Sequence, residues 1–376
     1  MKFTVQRQEF LDALKEGGSM AGRSKTLPIL NYAKVAVSTN GSLLISSCDG
    51  EVGIVRRGNV LHTEEDCSFC VQPKELGDIL NTIKDEQVIF NTDSTSLYLT
   101  HSKGVVTIPI MGVEDFVMPN AEEKDYVSIK VSANEMYGCL KNARTFCGTD
   151  EIRPTLTGIL LKIEGDKVMV ASSDAHKLYV DGFSLSDTSV DKMESIIPNK
   201  AVRPIMDALY SAGDVTMQIT GTSMRVITST TAITTKLIIG KYPDVARLIF
   251  SQFNLEVVAK KDDLMESLSR TLLSADAASR LVKMSVSEGE PMTLVSEDLG
   301  FSKSSKDSVK VECDPVSMPI GWDFRIGVKG SFLMDCVSAI SSQDVVFRFI
   351  DSKKAILMLD KERESKKIIL MPVMLN

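Results

Sequence analysis

The chain has 376 residues, 43% of them hydrophobic and 25% charged, and carries a formal net charge of −7. That length exceeds one ordinary core and calls for two or three domains, while the acidic balance excludes a protein that coats nucleic acid by bulk attraction and leaves room for a local basic surface. No run approaches the ~18 apolar residues of a membrane span, the start "MKFTV" opens a polar amphipathic stretch unlike a signal peptide, and the reading is of a soluble cytoplasmic protein.

In chain order, the first predicted element is a short alternating strand running into an amphipathic helix, "FTVQRQEFLDALKE" from Phe3. The segment that follows, Gly17 to Ser24 in "GGSMAGRSKT", approaches the glycine-rich phosphate-binding pattern. A phosphate loop must follow a strand and open a helix, whereas this one follows a helix, with Gly17-Gly18 as its stop signal, and has Arg23 where the pattern wants Lys. Two readings remain for a turn bearing Arg23 and Lys25: a solvated loop, or contact with a polyanion backbone. Further on, Cys67 and Cys70 form the one C-x-x-C among seven cysteines. Without a second such pair or a histidine pair it completes no tetrahedral zinc set, and "CSFCV" reads as a strand with Cys67 and Phe69 on one face. No disulfide framework is expected from an odd cysteine count without a secretion signal.

The strand-to-helix plan recurs in "SIKVSANEMYGCLKNART" from Ser128 and "LEVVAKKDDLMESLSRTLL" from Leu255. Val5, Val131 and Ala259 place these starts 126 and then 128 residues apart. A second helix followed by strands also recurs three times: Ile79, Leu80 and Ile83 match Ile205, Met206 and Leu209, then Cys336, Val337 and Ile340, an apolar stripe at helical spacing each time. Two helices and many short strands per unit give an α+β class with mainly antiparallel sheets. Three similar units in series form a curved, regular object, and a head-to-tail contact between identical chains closes into a ring if the rotation permits.

"MKFTV", "GRSKTLPILNYAKVAV", "SSDAHKLYV", "KYPD" and the terminal "MPVML" together resemble the bacterial sliding clamps, the beta subunits of DNA polymerase III, over essentially the whole chain. The resemblance implies three repeated DNA-clamp domains, 1–122, 123–249 and 250–376, each with two helices packed on antiparallel sheets and together forming half of a head-to-tail dimeric ring. It implies a homodimer encircling double-stranded DNA without sequence preference, opened by a clamp-loader ATPase and holding the DNA polymerase III catalytic subunit and other polymerases. No catalytic residue, metal, cofactor or membrane contact is implied.

By that similarity Arg23, Arg153 and Lys200 lie near DNA, with Lys25, Lys141, Arg144 and Arg203 as further candidates. The helices also carry acids such as Glu135 and Asp207, so a solvated face is the alternative. Pro154-Thr155 stands where the family often shows an aromatic pair. The partner-peptide pocket maps to Leu156, Ser173, Ala175, His176, Lys177, Leu178, Pro243, Arg247, Leu248, Pro372, Val373, Met374 and Leu375; its peptides carry a Gln and two or three bulky apolar side chains. Ala175 replaces a usual Gly, Lys177 a usual Arg, and Met374 with Asn376 the usual Arg-Leu ending, so peptide preference is expected to differ, since Lys lacks Arg's bidentate fork. His176 has no nucleophile or metal partner in the pattern and reads as structural or pocket-lining. The dimer seam maps to Val106, Ile108, Leu272 and Leu273, with domain core as the alternative. An enzyme using the Gly17–Ser24 loop or His176, and a peptide-binding scaffold without DNA, are the competing functional classes.

Overall fold

The three matched stretches fold alike because they bury the same positions. In the computed structural model, which describes residues 1–22, 27–119, 125–186, 190–210 and 212–375, the pairs Val5 and Leu14, Val131 and Leu140, and Ala259 and Leu268 are all at most 2% exposed. Each helix therefore pins its strand to a core from the strand's inward face.

The first repeat runs β1 (Lys2–Gln6), α1 (Arg7–Gly17), β2 (Ala33–Val37), β3 (Ser42–Cys48), β4 (Val52–Asn59), β5 (His62–Thr63), β6 (Cys67–Val71), α2 (Pro73–Thr82), β7 (Gln87–Thr92), β8 (Ser96–His101) and β9 (Gly104–Pro109). The second follows with β10 (Val127–Ser132), α3 (Ala133–Ala143), β11 (Gly158–Glu164), β12 (Lys167–Ser173), β13 (Lys177–Ser184), β14 (Lys192–Pro198), α4 (Asn199–Leu209), β15 (Asp214–Ile219), β16 (Ser223–Ile227) and β17 (Thr231–Lys236). The third comprises β18 (Leu255–Lys260), α5 (Lys261–Leu273), β19 (Leu281–Ser287), β20 (Met292–Asp298), β21 (Lys303–Val309), β22 (Val311–Pro315), β23 (Asp323–Lys329), α6 (Gly330–Ala339), β24 (Asp344–Phe349), β25 (Ile356–Asp360) and β26 (Lys367–Leu370). No helix among the described residues is long and apolar enough to cross a membrane.

The sheets ignore the boundaries between repeats. The described chain forms two compact units, one of Met1–Tyr137, Leu185–Val190 and Ile197–Ile239, the other of Gly138–Ser184, Asp191–Ile196 and Gly240–Asn376. In the first, β17 pairs antiparallel with β4, fusing four strands of the second repeat to four of the first in the order β10-β15-β16-β17-β4-β3-β2-β6. In the second, β26 pairs antiparallel with β13, giving β14-β11-β12-β13-β26-β25-β24-β18-β22. What remains is a five-stranded sheet ending in β9 and a four-stranded sheet ending in β21.

The core of the first repeat is aromatic, with Phe90 between Phe3 and Phe10 at centroid distances of 5.1 and 4.9 Å. Cys67 and Phe69 face this core as the strand pattern predicts, whereas Cys70 joins a separate cluster with Ile29, Leu30 and Cys48. The two thiols of the C-x-x-C thus sit in different clusters. Gly17 answers the phosphate-loop question: a Cβ there would lie 2.5 Å from the carbonyl oxygen of Ile45, so the glycine is required by close packing of the end of α1 on β3. In the second unit two ion pairs with buried carboxylates join its strands. Lys366 donates to Asp360 at 2.9 Å with both side chains at most 2% exposed, and Arg363 donates to Asp181 at 2.8 Å.

Candidate functional site

One small device is repeated three times and places the turn "SSDAHK". The hydroxyl of Ser172 donates to the carbonyl of Ala143 at 2.6 Å, as Ser47 does to Gly17 and Ser296 to Thr271, each at 2.6 Å and each buried. A buried hydroxyl thereby satisfies a carbonyl at the end of a helix. Two residues later Asp174 Oδ1 accepts from the N–H groups of His176 and Lys177 at 2.9 and 2.8 Å; Asp49 does the same for Glu51 and Val52 at 3.0 and 2.8 Å, and Asp298 accepts from Phe301 at 3.2 Å. The Ser-x-Asp spacing was the signal in the sequence that repeat-matching by apolar residues passed over. Ala175 adopts φ 74° at the tip of this turn, the counterpart of Gly50 at φ 96°. The departure from glycine therefore falls on left-handed backbone.

Three segments meet at this turn. His176 O accepts from Met371 N at 2.8 Å, which brings in the C-terminal tail, and Val373 N donates to Gly327 O at 2.8 Å to hold that tail on β23. Gly148, whose N–H donates to Leu156 O at 2.8 Å, sits against both Leu156 and Asp174. Buried Tyr242 brings in the 241–248 segment: burial, then the neighbouring Cys147 and Asp174, push its phenol well above the ordinary range. Along these segments Leu248 is 51%, Val373 39% and Met374 62% exposed. Leu156 and Leu178 are buried beneath, Ser173 bridges Lys177 O and Ala175 N, and Pro372 and Leu375 are half-buried. Pro243 and Arg247 line a cavity of about 680 Å³ with Tyr242, Leu160, Met169 and Glu194, and Arg247 is paired with Asp244 at 2.9 Å.

Lys177 and Leu178 are adjacent at the start of β13, point to opposite faces of the strand and are both buried. Only 5% exposed, the Lys177 ammonium forms an ion pair with Asp335 and lies 5.1 and 5.2 Å from the ring centroids of Phe146 and Phe332. Its charge is thus held inside. Phe332, absent from the sequence reading, is half-buried, stacks with His176 at 5.8 Å, and carries Lys329 over its ring at 4.4 Å.

Of the basic positions, Arg23 and Lys25 lie outside the described residues. Arg153 pairs with Asp150 at 3.3 Å, Lys200 with Glu51 and with Asp49 at 3.7 Å, and Arg203 with Asp207 at 2.9 Å. Lys141 and Arg144 are exposed and form no ion pair among the described residues. For the expected seam, Ile108 is a correction: alternation along β9 turns it inward, 1% exposed in the first core, and Val106 is half-buried against the same core. Val105, which points the other way, is 58% exposed. Leu272 is half-buried near Gly330, and Leu273 projects from α5 at 80% exposure.

Three family models match in tandem: the DNA polymerase III beta subunit N-terminal domain over residues 1–120, its central domain over 130–244 and its C-terminal domain over 246–374. Among curated proteins the chain is 23% identical to a beta sliding clamp of Pseudomonas aeruginosa over 378 residues, covering all of both chains. Among solved structures it is similar to a P. aeruginosa sliding clamp bound to griselimycin, with a TM-score of 0.92 at 22% identity, and to the DNA polymerase III beta subunit of Thermotoga maritima, with a TM-score of 0.90 at 20% identity, each covered in full along with this chain. At such identities the structural likeness speaks for the fold.

Proposed function

Because the chain belongs to the DNA polymerase III beta-subunit family, we propose that it is a DNA polymerase processivity factor, a non-catalytic accessory subunit that closes as a homodimeric ring around duplex DNA. Its domains are 1–122, 123–249 and 250–376, and it works in the cytoplasm with a clamp-loader ATPase and the polymerases it tethers.

The observation that carries this reading is a seam made twice and left open once. In the order of each repeat, β9 is the counterpart of β17 and β26, and β21 the counterpart of β4 and β13. Since β17 pairs with β4 and β26 with β13, β9 and β21 are the two halves of a third such seam, and each ends its sheet among the described residues. Open sheet edges invite strand addition. Two head-to-tail copies would use all four halves and leave no half-seam open.

The register follows as well. Ser47, Ser172 and Ser296 face Ile54, Tyr179 and Ser305 across their hairpins. Leu99, Val226 and Met358 face Val106, Ile233 and Ile368. The two formed seams set Ile54 opposite Ile233 and Tyr179 opposite Ile368, so Val106 of one copy belongs opposite Ser305 of the other.

Enclosure suits an acidic chain. Binding by phosphate neutralisation alone loses about 10³–10⁵ in affinity between 50 and 200 mM salt for six to ten contacts, whereas a ring leaves DNA only by opening a seam or running off an end. The apolar surface around Leu248, Val373 and Met374 then receives partner peptides, in keeping with an adaptable cleft of aliphatic and Met side chains.

Val106→Cys combined with Ser305→Cys tests both halves of this reading. Cross-strand neighbours fall within disulfide reach, so oxidation should give a covalently closed dimer, and rings oxidised after loading on nicked circular DNA should stay through a high-salt wash and be lost once the DNA is linearised. Equal loss from circular and linear templates, or crosslinking only in a shifted register such as Val106→Cys with Ser308→Cys, would refute it.

A further inference from the structure

The peptide pocket of the preceding section, on which this inference rests, holds two lysines in different electrostatic states. Lys177 has its carboxylate already: Asp335 pairs with it, and the rings of Phe146 and Phe332 lie beside its ammonium. A peptide carboxylate reaching for it would have to displace Asp335 from a lysine that is only 5% exposed. Lys329 is different. It is half-buried, forms no ion pair among the described residues, and is held over the face of Phe332 at 4.4 Å, an arrangement that orients an ammonium without neutralising it.

Lys329 also stands where the pocket's segments converge. It is two residues on from Gly327 in β23 and so shares that residue's face; on that face Gly327 meets the carbonyl of Val373 and the side chain of Leu375. The ring beneath its ammonium also stacks with His176, at 5.8 Å. We propose that Lys329, propped on Phe332, is a specificity-determining residue of the pocket and recognises a side-chain carboxylate of the bound peptide. Unpaired positive charge here is carried by the third repeat, because the second repeat's Lys177 and Arg247 are already paired with Asp335 and Asp244.

Two fluorescent synthetic peptides test this, sharing a Gln and two bulky apolar side chains and differing only by Asp or Asn beside the apolar pair. Titrated by anisotropy against the full-length protein, the Asp peptide should bind at least fivefold tighter. Lys329→Met should equalise the two peptides by weakening only the Asp form, and Lys177→Met should keep the preference. The buried fluorescence of Trp322 reports whether either variant is folded. Equal binding of both peptides to the wild type overturns the inference while leaving the pocket intact, as does loss of the preference in Lys177→Met with retention in Lys329→Met. Failure of both peptides to bind any folded variant overturns the pocket reading and the inference with it.

Discussion

Ala175→Gly should make this protein more stable, and the first repeat supplies the internal control. Ala175 sits at φ 74° in the turn that carries His176 and Lys177, and Gly50 holds the equivalent turn at φ 96°. Left-handed backbone costs an L-residue about 1–2 kcal/mol because Cβ approaches the carbonyl oxygen. Glycine removes that strain but adds about 0.4–1 kcal/mol of freedom to the unfolded chain. The balance is a gain of about 0.5–1 kcal/mol for Ala175→Gly, from the difference of those two terms. Gly50→Ala should lose a similar amount, with no clash to confuse it, since the nearest atom to an added Cβ is Leu30 Cδ1 at 3.9 Å. Urea denaturation of the full-length protein gives both numbers. The single tryptophan, Trp322, is 5% exposed and lies in the same compact unit as Ala175, so its fluorescence reads the first variant; far-ultraviolet circular dichroism reads the second. A lower midpoint for Ala175→Gly, or a neutral Gly50→Ala, would show that the turn is not strained and would break the equivalence drawn between the two repeats.

Asp360→Asn should cost about 3–5 kcal/mol, because it strands the Lys366 ammonium in a buried site; a midpoint unchanged in urea would mean that water reaches that lysine. Burial pushes the Asp360 carboxyl up, but donation from Lys366 and from the N–H groups of Ser341 and Glu362 outweighs it and holds the group at about 2, below its ordinary 3.8. A depressed carboxylate stabilises above its unfolded pKa and loses that contribution as pH falls through the folded one, so about 2 kcal/mol should disappear between pH 4 and pH 2, and not in Asp360→Asn. Removing the buried hydroxyl in Ser172→Ala or Ser296→Ala should cost about 1 kcal/mol each, since a buried hydrogen bond is lost while the helix-end carbonyl keeps a second donor, Cys147 Sγ at 3.8 Å or Ser274 N at 3.2 Å. Ser47→Ala should cost more, since Ser47 also accepts from Met20 N at 3.1 Å; equal losses at all three would show that second bond to be idle.

The repeat was legible because it is written in apolar spacing. Val5 and Leu14 and their two counterparts recur at a fixed separation, and a residue that must be buried in three copies leaves the same mark three times. The proposed seam was readable only as a pair of strand edges. Sequence similarity pointed to Val106 and Ile108 together, yet adjacent same-parity positions in β9 both turn toward the core, and it is the backbone edge with Val105 that stays open. The proposed pocket was read by chain position, and the pairing of its lysine was not. Nothing in the order "AHKL" says that the lysine turns inward, because its partner Asp335 lies 158 residues away on α6. Phe332 and Lys329 escaped for the same reason: each looks like ordinary sheet-to-helix junction until the fold sets it beside His176.

The basic side chains assigned to DNA share a property that bears on sliding. Arg153, Lys200 and Arg203 each already have a carboxylate, so a phosphate that recruits one of them must first displace Asp150, Glu51 or Asp207. Exposed pairs of this kind are worth only about 0–1 kcal/mol, so the exchange is nearly balanced, and the phosphate gains little by staying. Lys141 and Arg144, with no such partner among the described residues, supply the less encumbered attraction. In the proposed ring, cations so paired let DNA pass without gripping it, which suits a protein whose retention depends on the closure of its seams. On that proposal, lengthening residence on DNA calls for a tighter pairing of the open β9 and β21 edges, whereas added charge facing the DNA would slow movement.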